Sequence, residues 1–130
     1  MNQRVLYRFK IERSQLVPSL RKHCNKTSGI WVECEFDDVT HIPPWGARVG
    51  GCGFELRVFD IQFHLHKGTS LGDQHSVLVE CVMTECAEWD SRKKSENPIV
   101  PREGLVSKRN LRYAKTFGWT VKGIDQELIS

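Results

Sequence analysis

The sequence predicts an α+β domain: one antiparallel or mixed sheet of four to five strands, built on a long hairpin, with two helices packed against it. Three observations carry that reading. Apolar and polar residues alternate with period two over several stretches, the pattern of a half-buried strand. Two other stretches space their apolar residues three or four apart, as one face of a helix requires. The strands come in runs with the helices set apart, which is the α+β order. At 130 residues the chain has the size of a single domain with one core. Hydrophobic residues make up 39% of it, an ordinary globular share that argues against disorder throughout.

The hairpin spans residues 54–67 and 75–86. Phe59, Ile61, Phe63 and Leu65 alternate with Asp60, Gln62, His64 and His66. Residues 68–74 have loop chemistry, with Gly68 and Gly72 free to take positive φ. Val77, Val79, Cys81 and Met83 form the apolar side of the return strand. Pairing odd positions with odd positions keeps both apolar sets on one face; the expected register puts Leu65 opposite Val77, Phe63 opposite Val79, and Ile61 opposite Cys81. A one-residue slip would turn all of them to water. Phe54, Leu56 and Val58, however, are apolar at even positions. The parity flips at Val58–Phe59, and a β-bulge there would return the whole set to one face. The alternative is a strand covered on both sides near Val58.

The chain opens on another strand, with Val5, Tyr7, Phe9 and Ile11 alternating against a basic face that includes Arg8 and Lys10. A short helix is expected within residues 14–24. Ser14 is its candidate N-cap, Pro18 falls in or near the first turn, and Leu16 and Leu20 lie four apart on one side. Residues 25–29 end it. Ile30, Val32, Cys34 and Phe36 alternate with Trp31, Glu33, Glu35 and Asp37, a strand with an acidic outer face. The basic and acidic strands are candidate neighbours, because opposite charges across strands help modestly. The opening strand-helix-strand order leaves room for one parallel pair. Residues 39–53 read as a long irregular loop, rich in glycine and containing Pro43, Pro44 and Trp45. Trp45 is either a pin that closes this loop on the core or an exposed contact.

Residues 87–104 read as a polar surface connection. Ser107 can cap a helix over 108–117 with Leu111, Ala114 and Phe117 on its buried side, and Gly118 is placed to stop it. Residues 119–121 form a final short strand, and residues 123–130 read as a frayed tail.

Charge is unevenly distributed. Residues 1–28 carry +6, residues 29–86 carry −6, and residues 87–130 carry +3. Such blocks either offer a basic face to an acidic partner or neutralise one another within the fold. No stretch is apolar enough to span a membrane, and the first residues lack the apolar core of a signal peptide, so a cytoplasmic setting is expected. Five cysteines without a framework of close spacings fit reduced thiols.

No catalytic or cofactor motif stands out, so the chain is expected to be non-enzymatic and without a cofactor. His64 and His66 leave the same strand face and could share an ion, with His75 at the turn, but Cys81 falls on the opposite face and no metal site is expected. Cys52 lies in the glycine-rich loop, where a nest of backbone N–H groups could lower its pKa, yet no base can be paired with it. The candidate partner-binding residues are Trp45, Arg92, Lys93, Lys94, Lys108, Arg109, Arg112 and Lys115. The four on the second helix could engage phosphates, or simply form a solvated face.

Arg109 to Asp125 reads Arg-Asn-Leu-Arg-Tyr-Ala-Lys-Thr-Phe-Gly-Trp-Thr-Val-Lys-Gly-Ile-Asp. This stretch, in the C-terminal third of the chain, resembles the end of certain small phage-type zinc-binding proteins. In those proteins a cysteine pair on a strand precedes a helix with a buried alanine, then a Gly-Trp stop, an acidic turn and a second cysteine pair. Ala114, Gly118 and Trp119 match the middle, and Cys81 and Cys86 could stand for the first pair. The second pair is absent here, so the resemblance implies at most a site without its metal. Together these readings lead to one expectation. It is a small binding protein, of the kind of a phage or mobile-element accessory factor or inhibitor, acting on a protein or nucleoprotein partner. The alternative is a nucleic-acid binder led by the basic helix.

Overall fold

The computed structural model describes residues 3–24, 29–64, 77–86 and 106–130. They form a single α+β unit whose strands are β1 (Gln3–Ile11), β2 (Ile30–Val39), β3 (Arg48–Val49), β4 (Phe54–Phe63), β5 (Val77–Cys86) and β6 (Thr120–Lys122). Its helices are α1 (Pro18–Arg21) and α2 (Lys108–Thr116). The strands make one mixed sheet in the order β3-β4-β5-β1-β2-β6. That is one strand more than the four to five expected. The addition is β3, a two-residue segment inside the glycine-rich loop that pairs Arg48 with Arg57 and Val49 with Leu56. Two residues are too few to show a period.

The basic and acidic strands are neighbours, since β1 and β2 pair antiparallel with Arg8 opposite Glu33 and Lys10 opposite Trp31. The one parallel pairing among the described strands joins β1 to β5, with Val5 beside Val77 and Phe9 beside Cys81. The opening strand-helix-strand segment therefore does not make a parallel crossover. Its return passes through Gly29, which takes φ +110° and lies so close to the end of β1 that a Cβ would sit 2.2 Å from the Ile11 carbonyl oxygen. Only glycine fits that turn without the backbone moving.

The hairpin strands β4 and β5 pair antiparallel, but two residues away from the expected register: Phe63 faces Val77 and Ile61 faces Val79. A slip of two preserves which face is buried, so the periodicity could not exclude it. The parity break is a bulge, as expected. Val58 pairs with Cys81 and Asp60 with Glu80, leaving Phe59 as the extra residue. Phe59 is thus half exposed rather than part of the core, and Phe63 is largely exposed at the end of its strand. A second irregularity lies between Glu55 and Leu56, where the Thr84 hydroxyl donates to the Glu55 carbonyl at 3.0 Å.

The core lies on one face of the sheet. Val5, Phe9, Ile11, Ile30, Val32, Leu56, Val58, Val77 and Val79 form its floor, and Leu16, Leu20, Leu111, Ala114, Trp119, Ile124 and Ile129 cover it. Helix α1 is shorter than expected. Ser14 lies in a 3-10 turn (Arg13–Gln15), and the helix proper begins at Pro18. Val17 precedes a proline and is held extended at ψ 147°, which ends any helix running through it. Helix α2 follows its sequence signals. The Ser107 hydroxyl accepts from the Asn110 N–H, the Asn110 side chain accepts from the Ser107 N–H at 2.9 Å, and Gly118 takes φ +88°. Asn110 is buried because of this reciprocal cap.

Two apolar assignments at the C-terminal end are corrected. Phe117 is 53% exposed, because α2 stops at Thr116 before completing the turn that would bury it. The last residues are not frayed. Gln126–Ile129 forms a 3-10 turn capped by Asp125, and Ile124 and Ile129 are both fully buried. Burying two isoleucines is worth about 3–6 kcal/mol, enough to hold a short segment against its lost chain entropy. The 87–104 connection lies outside the described residues, as do residues 65–76 of the expected hairpin turn.

Candidate functional site

The side of the sheet that carries the core is not completely covered. Beyond Trp119 a cleft of about 650 Å³ opens, lined by Tyr7, Phe36, Val39, Val49, Phe117 and Trp119, with Gly50 and Gly51 along one side and Asp37, Thr40 and His41 at the rim. The volume lies within the range of ordinary ligand pockets. Tyr7 of β1 and Phe36 of β2 stand edge to face at 5.5 Å, and Phe36 meets Trp119 at 6.5 Å. Trp119 also packs on Phe9 at 6.0 Å, which fixes this aromatic wall to the core. Phe117 is held by Tyr113 at 4.8 Å, and the Tyr113 ring occupies the place where a Cβ on Gly53 would stand. The cleft is thus built from sheet, loop and helix end together.

Its walls are apolar and its rim is acidic. Asp37 at the rim and Glu35, which does not line the cleft, both reach the same Arg4 Nε, at 3.1 and 2.8 Å, so one guanidinium serves two carboxylates and the three groups together keep a net negative charge. Among the described residues, no lysine or arginine lines the cleft. Burial raises the Tyr7 phenol above its usual pKa, with the neighbouring Cys81 thiol adding to the effect. The Tyr7 hydroxyl has no hydrogen-bond partner among the described residues.

The opposite face of the sheet carries many charges, most of them cancelled in pairs. Arg8 Nε donates to Glu80 at 2.9 Å while its guanidinium lies 4.8 Å from the Trp31 ring centroid. Lys122 pairs with Glu33, Arg48 with Glu55 at 3.4 Å, and Lys10 with Glu12 at 3.5 Å. The basic first block and the acidic second block of the chain thus neutralise one another across β1, β2 and β5, at least where these strands meet.

The sequence-derived candidates fall in separate places. Trp45 is both pin and exposed ring: its Nε1 donates to the carbonyl of the bulged Phe59 at 2.7 Å, yet the side chain is 75% exposed. Arg92, Lys93 and Lys94 lie outside the described residues. On α2, Lys108, Arg112 and Lys115 fall four and three apart and make one line along the helix, with the exposed Arg109 beside it. Among the described residues, Lys108, Arg112 and Lys115 have no ion-pair partner. At 3.6 residues per turn this line lies roughly half a turn from Phe117, so the helix turns its cations away from the cleft. No described contact joins Trp45 to α2.

Three thiols, Cys34, Cys52 and Cys81, are held toward the protonated form. Cys52 is completely buried, and burial raises its pKa, with smaller opposing effects from backbone hydrogen bonds at Phe54 and Cys52. Backbone groups of the loop thus act in the lowering direction that the glycine-rich sequence suggests, but burial outweighs them and the net shift is upward. Cys81 is pushed up to about 11, mainly by burial, with Cys52 and Glu80 adding to it, and Cys34 is raised by burial and by Glu35. Cys34, Cys52 and Cys81 are free thiols. Among the described residues no group of three or more His, Cys, Asp or Glu stands close enough to hold a metal ion. His66 and His75 are outside them. Likewise, no described helix is long and apolar enough to cross a membrane.

Sequence reasoning missed the cleft. Tyr7 and Phe36 sit at core-face positions of their strands, so the period of two assigns them to the interior. The one available signal was aromatic density: Tyr7, Phe36, Phe117 and Trp119 exceed what a short helix could cover. The comparisons supply no relative: no family description, no curated protein and no solved structure matches the chain.

Proposed function

We propose that the chain is a small non-enzymatic binding protein that acts on a protein or nucleoprotein partner, in the manner of a phage or mobile-element accessory factor or inhibitor. The observation that carries this reading is the aromatic cleft. Phe36 and Phe117 are 43% and 53% exposed in a concave site beside an otherwise closed core. Exposed rings gathered in a concavity are what an interface anchor needs, because they gain most when a partner excludes water from them. Cys52 and Cys81 are buried thiols with raised pKa values, poor nucleophiles as they stand, which favours binding over covalent chemistry at those two sites. The biological setting rests on the resemblance of residues 109–125 to phage-type accessory proteins.

A second reading has its own support. Lys108, Arg112 and Lys115 form a line of cations without acidic partners among the described residues, in contrast to the paired cations of the sheet. Such a line suits a nucleic-acid backbone. The test is affinity capture from the native host on the tagged full-length chain, with and without nuclease. Retention of a defined protein after nuclease treatment, lost in Phe36→Ala/Phe117→Ala, is the expected result. Recovery of nucleic acid alone, lost in Lys108→Glu/Arg112→Glu/Lys115→Glu, would replace the first reading with the second.

A further inference from the structure

We infer that the cleft between β2, the Gly50–Gly51 loop and the end of α2 takes an aromatic side chain from a basic segment of a partner protein. This deepens the proposed binding function by naming its site and the chemistry of its occupant. The first argument is shape. The walls are rings set at steep angles to one another, Tyr7 on Phe36 at 90° and Phe36 on Trp119 at 73°. Such walls present both faces and edges, and a further ring can complete the edge-to-face packing. The glycines on one side carry no side chain to fill the gap, and a Cβ added at Gly50 or Gly51 would meet nothing within 4 Å.

The second argument is charge. The described residues that line the cleft include Asp37 and no lysine or arginine. The Arg4 guanidinium beside it is already shared between Glu35 and Asp37. A phosphate-bearing strand entering here would meet a net negative rim, while lysine or arginine flanking an aromatic anchor would be drawn to it. The cations of α2 lie on the other flank of that helix, so they do not offset the rim. The Tyr7 hydroxyl offers a hydrogen bond that no described protein group takes.

The test uses blocked tripeptides on the isotope-labelled full-length chain, followed by the amide signals of Gly50 and Gly51. A lysine-tryptophan-lysine tripeptide should move both signals saturably. Its glutamate-tryptophan-glutamate counterpart should bind about threefold or more weakly, a gap that closes in high salt. Phe117→Ala should weaken the basic tripeptide about threefold to tenfold, the range of one aromatic pair. Thr40→Arg, which places a cation at the rim without touching the core, should weaken it as well and leave the remaining spectrum unchanged. Equal or tighter binding of the acidic tripeptide or of adenosine monophosphate would overturn the inference, as would unmoved Gly50 and Gly51 signals. In either of those cases a protein captured from the host would still uphold the binding function, with its contact elsewhere on the surface.

Discussion

The two faces of the sheet both carry ionisable groups, and they treat them in opposite ways. On the outer face, Arg8 with Glu80 and Lys122 with Glu33 are held in ion pairs. On the inner face, Tyr7, Cys34 and Cys81 are held neutral, each raised above its ordinary pKa chiefly by burial. The same strands supply both sets by simple alternation: Arg8 is flanked by Tyr7 and Phe9, and Glu80 by Val79 and Cys81. The contrast shows that a thin sheet can keep charge and low polarity only one residue apart, provided each face has its own way of meeting the cost. The outer face offers partners for the charge, and the inner face suppresses it.

The inner face should break first, and at high pH. Cys81 holds its proton more tightly folded than unfolded, since its pKa is raised from 9.0 to about 11. Below the unfolded value both states are protonated and stability does not respond. As pH rises from about 9 to 11 the unfolded chain loses the proton first, so stability falls, by roughly 2–3 kcal/mol over that window. Cys52 is raised in the same direction and adds to the slope. Urea midpoints at successive pH values measure it. A Cys81→Ala variant should have a shallower slope, and an unchanged slope would show that this thiol does not govern the alkaline limit.

The outer face should yield less. Glu80→Ala leaves the partly buried Arg8 guanidinium with Trp31 but without its carboxylate, and should destabilise by about 1–2 kcal/mol in urea unfolding. Lys122→Ala breaks a more exposed pair on edge strand β6 and should cost under about 1 kcal/mol, with the difference shrinking in salt. The smallest effect belongs to α2. Arg112→Ala removes an exposed cation without an ion-pair partner among the described residues and should change stability by less than about 0.5 kcal/mol. If Arg112→Ala proved as costly as Glu80→Ala, the division between paired and unpaired cations would lose its meaning.

The helix α2 shows how far local signals reach. Ser107, Gly118, Leu111 and Ala114 announce its cap, its stop and its buried side, and all four act in those roles. Phe117 continues the same spacing and yet stays exposed, because the burial of a residue at a helix end depends on what stands opposite it. The hairpin shows the same limit. The flip of parity at Val58–Phe59 marks the bulge, but which strand positions face each other across the gap is not written in either strand alone.

By itself, the sequence determined which residues share a face, where helix α2 starts and stops, and that a basic and an acidic strand make suitable neighbours. These follow from backbone geometry that repeats every two residues or every 3.6, so they are readable within a short window. Only the tertiary structure decided that β1 runs parallel to β5, that the hairpin is displaced by two residues, that the last isoleucines dock, and that the cover over Tyr7 and Phe36 stops short and leaves a cleft. Each of these depends on how well surfaces far apart in the chain fit one another, and a period of two is equally satisfied by every even displacement.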